Sequence, residues 1–232
     1  MPSTKFTLLL TPGTRGSASA KRLAMTLSEK LGYKVIRSIK TTARRIPVRY
    51  GQGVDKLTQF GWFQENNIQA LEFTTCANMA SHWVSEGCTV FGRRLLNSSC
   101  GRGIVVFNES NPVTPDYPVY TKYKKKKREF RVHIYKEEVV RIVEKKLRSG
   151  WTGPRDSKIR NLANGYVFCS YDSEPSGIRE LALRASKVVQ SDFKGVDIGY
   201  NEKQEELFVI EVNSAPGIEG SNINAYIEAI LK

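Results

Sequence analysis

Cysteine is sparse in this chain of 232 residues: Cys76, Cys88, Cys100 and Cys169 are scattered, without the close pairs that zinc ribbons and redox motifs use. In a cytosolic protein such thiols stay reduced, and all four are expected to be free. Long apolar runs are missing too. The stretch Phe6 to Leu10 ends at Thr11-Pro12-Gly13, too short for a signal-peptide core or a membrane span, so a cytoplasmic protein without a membrane partner is expected. No low-complexity segment and no internal repeat is visible. Acidic residues are outnumbered, 23 Asp and Glu against 36 Lys and Arg. The net charge of +13 favours nucleotides, acidic peptides or nucleic acid as partners without choosing among them. Between Lys56 and Arg93 this basic chain has no positive charge, which points to internal packing.

What is present suits a folded enzyme. Hydrophobic residues make up 40% of the chain and aromatic residues 10%, spread along its length. Lys5 to Leu10 reads as a buried strand. A helix follows, capped by Ser17 or Ser19, with Leu23, Leu27 and Leu31 on one stripe and Gly32 as its stop. Tyr33 to Ile36 then completes a β-α-β unit. Lys40 to Arg49, with Arg44, Arg45 and Arg49, reads as a loop. A strand is expected at Gln69 to Thr74, a helix at Thr75 to Glu86, and a hairpin over Thr89 to Phe107 with a glycine-bearing tip at Asn97 to Gly103. Three prolines mark Asn108 to Pro118 as a connection. Beyond it Phe130, Val132 and Ile134 alternate with Arg131, His133 and Tyr135. The β-branched run that follows, Val139 to Lys146, reads as a returning strand. A short strand at Tyr166 to Cys169, a helix after Ser176, and strands at Gly195 to Tyr200 and Glu206 to Glu211 complete the pattern.

The last two strands carry the most specific chemistry. Glu211 and Asn213 lie two residues apart, so on an extended chain they share a face, and a hairpin would bring Asp197 close to them. Three hard oxygen donors suit Mg²⁺, which completes its octahedron with water and substrate phosphates. An ordinary solvated sheet face is the simpler reading of a bare Glu-x-Asn. However, Glu211 ends the apolar run Leu207 to Ile210 and Asn213 is followed by Ser214-Ala215-Pro216-Gly217.

Gly195-Val196-Asp197-Ile198, a short hairpin, then Glu211-Val212-Asn213-Ser214-Ala215-Pro216-Gly217 and a helix resembles the C-terminal signature of ATP-grasp ligases, especially the RimK type. The resemblance implies an α/β (α+β) fold in three parts: an N-terminal domain at 1–87, a small β lid at 88–118, and a C-terminal domain with a mixed sheet at 119–232. It implies ATP and Mg²⁺ as cofactors, with Asp197, Glu211 and Asn213 as metal ligands. By the same resemblance Arg94 stands for a phosphate-binding lysine, and Ser98, Ser99, Gly101 and Gly103 belong to a glycine loop over the phosphates. Val119 to Tyr123, including Tyr120 and Lys122, is similar to a hinge that reads adenine. Glu129 would lie near the ribose, Arg131 would meet the transferred phosphate, and Arg160 and Asn161 would hold nucleotide and acyl phosphate. Lys145 and Lys146 are weaker candidates, being a lysine pair at a strand end. The family's second ATP lysine has no counterpart between Leu57 and Gly92, and Lys56 is a poor substitute by position.

The implied activity joins a carboxylate substrate to an amine acceptor, an amino acid or peptide, through an acyl phosphate. Arg44, Arg45 and Arg49 would suit an acidic acceptor. No base is evident, since His82 and His133 are the only histidines, neither lies in a motif, and His133 reads as structural. Two rival readings remain: phosphate transfer without ligation on the same fold, and nucleic-acid binding through Lys124 to Arg128 and the N-terminal arginines.

Overall fold

The computed structural model describes residues 5–41, 45–98 and 101–232. Its first strand, β1 (Lys5–Leu10), leads through a short turn into α1 (Ala18–Leu31). Ser17 caps that helix by accepting from the Ala20 amide, and Gly32 ends it in the left-handed region at φ 68°. Ala20, Leu23, Ala24 and Leu27 form its buried stripe. The second strand, β2 (Ile36–Ser38), starts where the sequence suggested it would end, and it pairs parallel to β1.

Residues 45–50 correct the loop expected there. Arg45–Tyr50 is β3, parallel to β1 from Lys5 opposite Arg45 to Leu10 opposite Tyr50. Only Val48 and Tyr50 of this strand turn inward, and the arginines and Pro47 mask so short an alternation. Pro47 is tolerated because β3 is an edge strand. Arg44 lies outside the described residues.

An unanticipated helix follows, α2 (Lys56–Glu65). Asp55 caps it by accepting from the Thr58 amide, and Phe60 and Phe63 anchor it in the core. The lid comes next: β4 (Phe73–Thr74), α3 (Ala77–Ser85), β5 (Val90–Arg93), β6 (Ile104–Phe107) and β7 (Val119–Lys122). Its antiparallel sheet runs β4-β7-β5-β6 around a core that includes Ala80, Trp83, Val90, Phe107, Tyr117 and Tyr120. That sheet crosses both boundaries suggested by the sequence, 87/88 and 118/119.

The C-terminal part contains β8 (Arg128–Tyr135), β9 (Glu138–Leu147), β10 (Tyr166–Cys169), α4 (Ile178–Ser186), β11 (Phe193–Asn201), β12 (Glu206–Asn213) and α5 (Asn222–Leu231). Strand order is β10-β9-β8-β11-β12, with every pair of strands antiparallel. Ala70 adds a single parallel bridge to Val209. Phe130, Val132, Ile134, Val196 and Ile198 bury one face of the sheet in a core shared with α4. The alternation of β8 therefore points Glu129, Arg131 and His133 to the other face, where a polar site can form. Among the described residues Cys76, Cys88 and Cys169 are free thiols. No helix there is long and apolar enough to cross a membrane.

Candidate active site

A cavity of about 940 Å³ opens between the lid and the polar face of the large sheet. Strand register builds its floor. Asp197 on β11 lies opposite Arg131 on β8 and opposite Glu211 on β12, so the three side chains form one row across the sheet. Arg131 makes a forked pair with Asp197, Nε to Oδ1 at 2.6 Å and Nη2 to Oδ2 at 2.7 Å. Such a bidentate pair fixes both orientation and charge. Glu211 accepts from Lys56, Nζ to Oε2 at 2.9 Å, and from the amide of Asn213 at 3.1 Å. In the neighbouring row Lys145 reaches from β9 to Glu129, with Asp197 at 4.0 Å, while Lys126 stands 3.6 Å from Glu129.

These charges are held out of water, and their balance follows from pairing. Burial alone would push the Asp197 carboxyl up, but Arg131 and Lys145 hold it below its ordinary value. Burial also pushes Glu211 up. Lys56 and Arg93 overcome that and the repulsion from Asp197, leaving Glu211 lowered as well. Burial disfavours the charges of Arg131 and Lys145, yet their carboxylate partners raise both. Lys126 is lowered, because burial outweighs Glu129.

His133 is not part of this chemistry. Its Nδ1 lies 3.1 Å from the Tyr226 hydroxyl, which donates to the Lys194 carbonyl, so Nδ1 carries the proton in the neutral ring. Burial, with Arg131 and Arg141 nearby, lowers its pKa to about 3. His82 is exposed on α3, 3.6 Å from Glu86. Neither histidine lines the cavity.

The comparisons with known proteins agree with this geometry. Residues 119–232 match the RimK-like ATP-grasp domain family. This part of the chain is a RimK-like ATP-grasp domain. No curated protein sequence matches the chain. Among solved structures it resembles the ATP-grasp ligase PsnB in complex with a minimal precursor, at TM-score 0.70 and 8% identity over 98% of this chain and 99% of that one. A RimK domain protein from Sphaerobacter thermophilus gives 0.61 at 10% identity over 97% and 99%. D-alanine–D-alanine ligase from Bacillus anthracis gives 0.60 at 11% identity, over 97% of each chain. The whole chain thus has the ATP-grasp ligase fold.

Within that fold, several of the residues suggested as nucleotide contacts lie away from the cavity, and neighbours line it in their place. Arg94 turns away from the cavity and donates to the Tyr117 hydroxyl, whereas Arg93, one residue earlier, is buried in the cavity wall over Phe60. The cause is strand parity: Arg93 shares a side with Phe91, and Arg94 lies just beyond the end of β5. Lys56, poorly placed by sequence, reaches the cavity from the start of α2. Its Nζ donates to the Ser98 carbonyl at 2.7 Å besides meeting Glu211. A lysine just behind an Asp cap, at the head of a helix, was the local signal for it.

Tyr120 is fully buried in the lid core, and Lys122 pairs with Glu72. Neither lines the cavity; β4 pairs with β7 only at Tyr120 and Thr121, and the Lys122 amide donates to the Glu72 carbonyl. Tyr123, Lys124 and Lys126, just beyond β7, line it instead. The Lys145 side chain is only 12% exposed, while Lys146 is the more exposed of the two lysines. Ser98 and Gly101 line the cavity; Gly103 does not, and Ser99 lies outside the described residues. A Cβ on Gly101, whose φ is 73°, would stand 2.8 Å from Ile159, so this loop tip closes on the 159–161 segment only as glycine. Arg160 and Asn161 line the same end, where the Arg160 guanidinium donates to the Lys126, Lys127 and Ser157 carbonyls. Asn161 caps the short turn at Leu162–Asn164.

Proposed function

We propose that the protein is an ATP- and Mg²⁺-dependent ligase that activates a carboxylate as an acyl phosphate and joins it to an amine. The observation that carries this reading is the row Arg131, Asp197 and Glu211, with Lys56 and Arg93, at the floor of the lid-covered cavity. Buried cations and carboxylates in register are what two anions need if one is to attack the other.

The donor set fits Mg²⁺. Among the described residues no group of three or more His, Cys, Asp or Glu could hold a metal. Asp197 and Glu211 with the Asn213 amide oxygen offer few but hard donors, the pattern of an ion that keeps waters and phosphate oxygens as its remaining ligands. When bound, Mg²⁺ would neutralise phosphate charge. Lys56, Arg93 and the backbone of the glycine loop would hold the phosphates. Tyr123, with Arg160 pinning the chain at Lys126 and Lys127, would border the base and ribose end. Arg131 would stabilise the charge that develops as a carboxylate oxygen bonds to the γ-phosphorus and ADP leaves. The amine, neutral on entry or after giving its ammonium proton to solvent, then attacks the acyl carbon, phosphate departs, and the proton that the nitrogen sheds on becoming an amide goes to the departing phosphate or to solvent.

The relatives support this assignment by analogy: PsnB structures hold a minimal precursor with Mg and ADP, or the precursor peptide PsnA2 with AMPPNP, and the D-alanine–D-alanine ligase holds ATP. An amino acid or peptide is accordingly the expected amine or acid partner. The nucleic-acid reading is weakened by the fate of the basic run, where Lys124, Lys126, Lys127 and Arg128 pair with Glu206, Glu129, Glu202 and Glu144. Arg45 spends its guanidinium on the Phe6 and Lys34 carbonyls. The test is ADP release with ATP, Mg²⁺ and a panel of amino acids and peptides. Release that requires both a carboxylate and an amine supports the ligase, release without amine dependence selects phosphate transfer, and no release with any pair removes both.

A further inference from the structure

Two arginines lining the cavity have no ion pair among the described residues and a buried Nε without an acceptor. Arg93, on β5 of the lid and near Glu211, falls to the phosphates in the ligase reading. The other is Arg141, on the large sheet, whose other cations come matched to carboxylates. Arg131 has Asp197, Lys145 has Glu129, and Lys56 has Glu211. Arg141, on β9, lines the same cavity but forms no ion pair among the described residues, and its Nε is buried without an acceptor. A guanidinium donor left unsatisfied inside a protein is costly, and an arriving anion would remove that cost.

Register locates Arg141 relative to the chemistry. Val143 lies opposite Arg131, and Arg141 lies opposite His133, whose partner Gly195 faces Asn213. Arg141 therefore belongs to the row beyond Arg131 and Asp197, two strand residues or roughly 6–7 Å farther along. The row on the opposite side holds Glu129 and Lys145, towards Tyr123 and Arg160. The floor thus runs in order from base and ribose, through phosphate, to Arg141. Phe168, Pro216, Gly217 and Ser221 also line the cavity, as does one carboxylate, Glu219, which makes no pair with Arg141. His133 beside it is neutral and does not compete for an anion.

We propose that Arg141 binds a second, non-reacting carboxylate of the acid substrate, so that the site selects dicarboxylic acids over monocarboxylic ones. The row spacing is on the scale that separates the two carboxylates of a short dicarboxylic acid. A forked guanidinium at one end would then hold the other carboxylate facing Arg131. This inference rests on the ligase reading only for which carboxylate reacts; the anion subsite itself can be tested without turnover.

The experiment is calorimetric titration of the full chain, with ADP and Mg²⁺ present, using glutarate and its monocarboxylate counterpart pentanoate. Wild type should bind glutarate at least about 10-fold more tightly, the scale of one charge-assisted contact. Arg141→Gln should weaken glutarate about 10- to 100-fold, to the level of pentanoate, while Arg141→Lys retains part of the preference. ADP affinity unchanged in both variants would show that the site is assembled. Equal binding of the two acids by wild type, or undiminished glutarate binding by an ADP-competent Arg141→Gln, overturns the proposal. A glutarate preference that depends on Arg141, without amine-dependent ADP release from any substrate pair, would retain the subsite and sink the ligase assignment.

Discussion

Replacing Glu211 with Gln keeps the side-chain shape, removes one negative charge and turns one acceptor oxygen into a donor. The amide oxygen can still accept from Lys56, which now stands 2.9 Å from Oε2, and Lys56 keeps its bond to the Ser98 carbonyl at 2.7 Å. The new amide nitrogen meets the Asn213 amide, which now donates to Oε1 at 3.1 Å and must turn to present its oxygen. Stranding one partner of a buried pair typically costs about 3–5 kcal/mol. Here Lys56 is not stranded, and the repulsion between Glu211 and Asp197 disappears. The net change in stability should therefore stay within about 2 kcal/mol, a few degrees in Tm for a chain of this size. Activity should respond far more. Loss of one preorganised electrostatic contact at a developing charge lowers the rate about 10²- to 10³-fold. Asn213→Ala should act in the same direction by deleting a neutral donor. The assay is ADP release with a productive acid and amine, with thermal melting as the folding control. If Glu211→Gln melts like wild type and turns over undiminished, the metal and phosphates are bound elsewhere and the row Arg131, Asp197, Glu211 has been misread.

Arg93→Ala should weaken ATP binding about 10-fold or more, whereas Arg94→Ala should change it by less than about 2-fold; nucleotide titration of both variants checks the order, and the reverse result would restore Arg94. His133 is buried neutral with a pKa near 3 against 6.5 in the unfolded chain, so the unfolded state binds more protons between those values and stability falls as pH falls through that window. The contribution is about 2 kcal/mol lost by pH 5, and urea unfolding of His133→Gln should show a flatter profile from pH 7 to 5 than wild type. Asp197 and Glu211 are lowered, so their stabilisation is present above the ordinary carboxylate range and is lost as pH drops below about 4. Hydrogen exchange at residues 101–103 should slow when ATP and Mg²⁺ are added, and unchanged rates would count against lid closure over the nucleotide.

Local rules carried much of this protein. The side-chain period of two placed Glu211 and Asn213 on one face, and Asp197 then faced Glu211 because the two strands form a hairpin. Ser17 and Gly32 marked both ends of α1 because capping and left-handed backbone are properties of single residues. The same locality explains what stayed hidden. In β3 two inward residues among arginines and a proline carry too little period to be read, and the strand exists because β1 offers it a partner. Lys56, Arg93, Lys145 and Arg141 are unremarkable in sequence, each a basic residue in a basic chain. Their roles depend on which faces of which elements meet: Lys56 touches Glu211 from more than 150 residues away, and Lys145 is largely covered only because β9 lies beside β8. Charge partners across such distances are chosen by the packing of the lid and α2 over the sheet. A one-residue change of strand parity, as between Arg93 and Arg94, decides whether a cation faces the cavity or the lid's Tyr117. The sequence by itself determined the family signature and the faces of the strands. Tertiary structure alone decided which cations those carboxylates hold, because no local period records what stands opposite.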